Sequence, residues 1–265
     1  RIRTIRLKGQ VSQGICFPLS VLPNGLYDEG DDVTNTLEVT KYEPVANYLM
    51  GNAKGARPPF VFKTDEERIQ SCPHILQFLC GHVCYVTEKV DGSSFSAYHY
   101  NGEFGVCTRS QDLKYDENSF FWRAANNLRL QEKLSKMNNF VLQGELIGPK
   151  IQSNKYGLKD YTVLFFNAID ITKKSYVEYK QFCEILDFLD LKSVPIVTND
   201  FYFNTKQPSY TVESFVKLSK GTSKLNGSIH REGIVVRPHK ELWDQEIGRV
   251  SFKVINPNFL LKYDE

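Results

Sequence analysis

Apolar and polar positions divide the chain into strand-like and helix-like stretches. From His82 onward Val83, Tyr85 and Thr87 alternate with their neighbours as in a strand, Gly92 interrupts, and Phe95, Ala97 and Tyr98 resume the pattern up to Asn101-Gly102. Both residues of an Asn-Gly pair accept positive φ, so hairpin structure is predicted over about residues 83–109. Helical spacing of Phe121, Ala124, Ala125 and Leu128 predicts a helix within residues 118–137, and extended runs follow at Phe140–Leu146 and Tyr161–Ile171. Ser175 and Glu178 have capping-box spacing and predict a helix that buries Phe182, Ile185, Phe188 and Leu189. Ile234-Val235-Val236 and Val250–Ile255 read as buried strands, and Ile2–Leu7 as a short one.

Loop composition marks Leu22-Pro23-Asn24-Gly25, the acidic run Asp28–Asp32 and the stretch Gly51–Pro59. Thr64 and Glu67 form a second capping-box pair, which predicts a short helix beginning at Thr64. Strands outnumber helices and several are joined by hairpins. The fold class is therefore α+β, with central antiparallel sheets flanked by helices.

At 265 residues and 41% hydrophobic the chain is long enough to bury a substantial core. Its apolar runs, such as Tyr161–Phe166, fall far short of the ~18 residues that span a bilayer, so no membrane partner is expected. The 33 basic and 31 acidic residues nearly cancel, so any nucleic acid must be held by local basic groups. Lys150, Lys155, Lys159, Lys173, Lys174, Lys217, Lys220 and Lys224 are candidates for tracking phosphates. Six cysteines are too sparse for a disulfide scaffold and suit a reducing, intracellular setting. Cys72, His74, Cys80, His82 and Cys84 crowd together without a common zinc spacing, and packed thiols are expected there.

Candidate chemistry begins at Glu88-Lys89-Val90-Asp91-Gly92, a lysine at a strand end beside a glycine turn. Such a string occurs by chance in about one chain in twenty of this length, so it carries little alone. Five more strings follow in order: Arg109-Ser110, Leu142-Gln143-Gly144-Glu145, Phe165–Asp170, Arg231–Val236 and Ser251–Asn256. The ordered set resembles motifs I, Ia, III, IIIa, IV and V of the covalent nucleotidyltransferases, the superfamily of ATP-dependent DNA and RNA ligases and mRNA capping enzymes. Lys8–Gly14 and Lys63–Gln70 resemble nick-sealing RNA ligases in particular.

The resemblance implies an ATP-grasp-like ligase fold, with residues 1–265 forming one adenylyltransferase domain that lacks an N-terminal OB domain. It also implies an ATP-dependent RNA ligase, a monomer, that forms lysyl-AMP on Lys89 and transfers AMP to an RNA 5′-phosphate. A 3′-hydroxyl, in a nicked duplex, then closes the bond. DNA ligase and guanylyltransferase cores are the alternatives within the superfamily, and a non-catalytic RNA- or nucleotide-binding module is the alternative outside it.

By the same resemblance Lys89, Glu145, Glu232 and Lys253 are catalytic, while Glu88, Arg109 and Phe166 hold the nucleotide together with Lys89, Glu145 and Lys253. Glu88 would accept from the adenine amine and Phe166 would stack on the base. Asp91, Glu145 and Glu232 would hold Mg²⁺ or Mn²⁺ through its water shell, as carboxylates do for a hard cation that keeps its waters. Lysine attacks only when neutral, so Lys253 and the metal are expected to lower the Lys89 pKa. One departure stands out: phage-type RNA ligases carry two lysines one residue apart in the last motif, whereas Ser251 and Ile255 flank Lys253 here. Lys262, Arg249 and Arg237 are the cations that could stand in.

Overall fold

A computed structural model of the chain describes residues 5–7, 10–12, 14–40, 52–204 and 210–263. A small antiparallel pair, β1 (Ile5–Leu7) and β2 (Gln10–Ser12), precedes an exposed segment. Then come β3 (Ala53–Ala56), β4 (Glu67–Arg68) and α1 (Ile75–Phe78). The centre holds β5 (Val83–Lys89), β6 (Ser93–Tyr100), β7 (Glu103–Cys107), β8 (Gln111–Leu113), α2 (Phe120–Asn127) and α3 (Leu130–Ser135). Next are β9 (Phe140–Ile147), β10 (Thr162–Asp170), β11 (Ser175–Tyr176) and α4 (Tyr179–Phe188). After them run β12 (Ile196–Tyr202), α5 (Val212–Ser219), β13 (Gly233–Pro238), β14 (Trp243–Asp244), β15 (Gly248–Arg249), β16 (Phe252–Ile255) and α6 (Pro257–Tyr263).

Two sheets organise these pieces. A seven-stranded sheet has the order β11-β10-β9-β6-β7-β8-β3, and a five-stranded sheet the order β12-β5-β13-β16-β4. Pairing within them is antiparallel except between β16 and β4, so the expected α+β class holds. One face of the larger sheet, with Phe95, Leu142, Leu146 and Phe165, packs on Phe121, Leu134 and Phe182 from α2, α3 and α4. The smaller sheet buries Ile234, Val236, Phe252 and Val254 against Ile75 of α1 and Phe215 of α5. Cys72 and Cys84 belong to this second core, as expected of packed thiols, and burial pushes the Cys84 thiol up to about 12.

Asn101 and Gly102 have φ of 50° and 84°, so the β6–β7 hairpin turns where the Asn-Gly pair predicts. The hairpin structure expected over 83–109 is confined to β6 and β7, because β5, before Gly92, belongs to the other sheet. Val90-Asp91-Gly92 instead carries the chain from one sheet to the other. A Cβ on Gly92 would collide with the Leu146 carbonyl oxygen and lie 2.9 Å from Glu145 Cγ and Ile147 Cγ2, so the crossing is tight enough to demand glycine. Val90 anchors it by packing with Ile147, Leu164 and Val194.

Three helix predictions are corrected. No helix starts at Thr64: its hydroxyl bonds Ser94 Oγ at 2.8 Å, and Glu67-Arg68 pairs parallel with Phe252-Lys253 as β4. Ser175 lies in β11, paired with Asp170, so α4 begins at Tyr179 without the expected box, and Phe188 is 66% exposed while Leu186 takes the buried place. The predicted helix over 118–137 is two helices, broken where Arg129 adopts φ 53°. The Ile2–Leu7 prediction is met over Ile5–Leu7, its first part lying outside the described residues.

Substituting Gly92→Ala is expected to lower stability by about 1–3 kcal/mol, the usual cost of forcing a methyl into a packed contact. The urea midpoint measures it, and an unchanged midpoint contradicts the tight crossing.

Candidate active site

A cavity of about 500 Å³ opens between the sheets, and Glu88, Lys89, Arg109, Glu145, Phe166 and Lys253 all line it. Strand register explains the convergence. Val235 pairs with Thr87 on one side and Lys253 on the other, and Gly233 pairs with Lys89, so these residues share one face of the five-stranded sheet. Glu145, opposite Ser94 on the neighbouring strand, supplies the wall from the seven-stranded sheet. Residues 64–66 and Arg109 edge the cavity, with Arg109 Nη2 3.0 Å from the Asp65 carboxylate.

Phe166 lies on the cavity side of β10 by alternation, since Val163 and Phe165 face the helices while Leu164 and Phe166 face the other way, and a bulge falls between Phe165 and Asn167. Phe165 pairs with Gly144 and Asn167 with Gln143, which leaves Phe166 as the extra residue on β10. Phe165 is fully buried in the core under the sheet, and the bulge brings Ala168, not Asn167, back to that core. Glu88 is 1% exposed, and its Oε2 accepts the Lys224 backbone N–H at 2.9 Å, while Oε1 has no hydrogen-bond partner. A buried acceptor left unpaired is costly, and a ligand amine would satisfy it.

Behind the cavity lies a charged cluster. Lys89 Nζ donates to Glu232 Oε1 at 2.5 Å, and Asp91 Oδ2 accepts from Lys155 Nζ at 2.5 Å. Burial opposes the charge on Lys89, but Glu232, Glu145 and Asp91 outweigh it and hold the ammonium above the ordinary lysine range. The expected lowering by Lys253 together with a bound divalent cation concerns the loaded site; without a metal the acids dominate the field. Burial pushes Glu145 up to about 8, opposed by Lys89 and reinforced by Glu232 and Asp91. Among the described residues no three His, Cys, Asp or Glu side chains converge closely enough to ligate a metal directly.

Several participants were not legible beforehand. Lys155, expected on a basic surface, is only 9% exposed at its side chain, with Nζ 5.2 Å from the Phe259 ring centre and 4.7 Å from that of Tyr263. Tyr156 accepts the Asp91 backbone N–H at 2.7 Å. Glu66 is bound by Arg237 at 3.0 and 2.6 Å and by the Ser251 hydroxyl, so the serine in the last motif is a partner of Glu66. Arg237 and Arg249 overcome burial and hold the Glu66 carboxyl below its ordinary range. Of the three cations that could stand in for the missing lysine, Arg249 is engaged by Glu241 and Asn167 and Lys262 is exposed, while Arg237 lines the cavity.

Comparison with known proteins agrees with this geometry. The family model for RNA ligase matches residues 82–255. The chain belongs to the RNA ligase family. Naegleria gruberi RNA ligase with pyrophosphate is 35% identical, with a TM-score of 0.82 over 100% of this chain and 77% of that one. A variant of that enzyme with ATP and Mn is 34% identical, with a TM-score of 0.84 and the same coverage of 100% and 77%. Another, with AMP and Mn, is 34% identical at a TM-score of 0.81, covering 98% and 76%. Among curated proteins nothing matches. Membership in the RNA ligase family carries the enzyme class, ATP-dependent RNA ligation. No helix among the described residues is long and apolar enough to cross a membrane.

Because the folded protein binds the Glu145 proton more tightly than an ordinary carboxyl with a pKa of 4.5, stability is expected to fall as pH rises from 4.5 through about 8. Glu145→Gln should flatten that slope in ligand-free denaturant titrations, whereas a variant with the wild-type slope contradicts the assignment.

Proposed function

We propose that this RNA ligase works through an adenylate on Lys89. Neutral Lys89 Nζ attacks the α-phosphorus of ATP, the N–P bond forms, the bond to the bridging oxygen breaks and pyrophosphate leaves. AMP then passes to the 5′-phosphate of an RNA strand, and attack by an adjacent 3′-hydroxyl forms the phosphodiester and releases AMP. The ends of a nicked duplex would present both groups together.

One observation carries the reading: Lys89, ion-paired to Glu232, lines a cavity whose wall also offers Phe166 and the unpaired Glu88 oxygen. Phe166 supplies an aromatic face for adenine and Glu88 an acceptor for its amine. Lys253, beside Val235 on the same sheet face, is placed to neutralise charge developing on the α-phosphate. Arg109 at the rim would contact the ribose or the outer phosphates. Glu232 Oε1, already hydrogen-bonded to Nζ, is placed to take the lysine proton.

Asp91, Glu145 and Glu232 suit Mg²⁺ or Mn²⁺ held through water: all three are oxygen donors, and burial first, then the charges of Glu232 and Asp91, raise the Glu145 pKa. A divalent cation bound there would offset the acids that keep Lys89 protonated.

The test is incubation with α-labelled ATP and Mg²⁺ or Mn²⁺, followed by denaturation. Wild type should keep the label and Lys89→Ala should lose it completely. Absence of label on wild type with either metal overturns the proposal in favour of a non-catalytic nucleotide-binding module.

A further inference from the structure

Besides Glu88, two residues of the cavity wall carry buried polar atoms that nothing in the protein satisfies. Thr87, 3% exposed, has a hydroxyl without a hydrogen-bond partner. Arg237, 2% exposed, gives Nε and Nη2 to Glu66 but leaves Nη1 unpaired. A buried donor without an acceptor forfeits its hydrogen bond to water without replacement, so two of them lining the cavity with a third unsatisfied group are a penalty that a ligand can relieve.

Their placement identifies which part of a ligand they meet. Thr87 precedes Glu88 on β5 and pairs with Val235, and Arg237 lies two residues beyond Val235 on the same face of β13. The Arg237 guanidinium carbon is 5.4 Å from the centre of the Phe166 ring. Arg237 therefore flanks the aromatic platform, and Thr87 lines the same cavity from the neighbouring strand. The bond of Glu66 to Nε and Nη2 fixes the fork so that Nη1 is the end left over.

We propose that Thr87 and Arg237 read the nucleobase: with Glu88 they form a donor and acceptor edge beside Phe166 in which Glu88 takes the exocyclic amine of adenine and the other two donate to its ring nitrogens. This rests on the assignment of ATP as substrate and adds base selection to it. Lys89, Lys253 and Arg109 remain for the phosphates and ribose, while Glu66 acts as a positioning residue by holding the Arg237 fork.

Equilibrium competition against a fluorescent ATP analogue tests this without requiring chemistry, using ATP, 1-deaza-ATP and 7-deaza-ATP. Each deaza compound removes one ring acceptor. Wild type should bind at least one of them about tenfold more weakly than ATP, the change expected for one lost hydrogen bond. Arg237→Met or Thr87→Val should weaken ATP by a similar factor and add no further loss for the analogue whose acceptor that residue meets. Thr87→Val leaves the Glu66 pair intact, so it keeps the test open if Arg237→Met fails to fold. Equal losses for all three nucleotides in both variants, or wild-type affinity unaffected by either deaza change, overturn base reading. Base-dependent binding without covalent label on Lys89 would instead sink the adenylylation mechanism and leave this subsite standing.

Discussion

The structure depends on confining one lysine among three acids where the chain crosses between two sheets. Lys89 ends a strand of the five-stranded sheet, and after three intervening residues the backbone enters the seven-stranded one. Glu145 comes from the second sheet, Glu232 from the turn into β13, and Asp91 from the crossing itself. No local segment could assemble this cluster, because like charges brought together in a buried place repel. It persists because Lys89 and Lys155 each pair with one acid and because Glu145 holds its proton up to about pH 8.

That arrangement stores a bias that substrate binding can release. At rest the acids hold Lys89 as an ammonium, which cannot attack phosphorus. In the proposed mechanism, any positive charge delivered among them would weaken their grip on the lysine proton and so tie nucleophilicity to occupancy of the site. The other walls are prepared differently: β10 sets the Phe166 ring in the cavity wall, and the Glu66–Arg237 pair ties the strap at residues 64–66 to the sheet floor. Rigid placement before binding is what electrostatic catalysis requires.

Much of this was legible in the sequence where local chemistry decides the outcome. Asn101-Gly102 announces its turn, and the runs around Phe140–Leu146 and Ile234–Val236 announce buried strands. The ordered motifs located all six cavity-lining side chains named from them. Illegible features were those settled by distant partners. Thr64 has the spacing of a helix cap, yet its hydroxyl is taken by Ser94 and its neighbour Glu66 by Arg237 and Ser251. Lys155 looks like a surface lysine until Asp91, Phe259 and Tyr263 surround it. Alternation puts Phe165 and Phe166 on opposite faces, but which face packs on helices and which lines the cavity is settled only by α2, α3 and α4 covering the Phe165 side.

The most direct test of the central claim is the titration of Lys89 itself, followed through the ¹³Cε and Nζ resonances of lysine-labelled protein without nucleotide or metal and assigned with Lys89→Ala. The account predicts a pKa above the ordinary lysine value of 10.5 that moves downward in Glu232→Gln. A Lys89 that titrates below 10.5 in the ligand-free wild type, unmoved by Glu232→Gln, would contradict it.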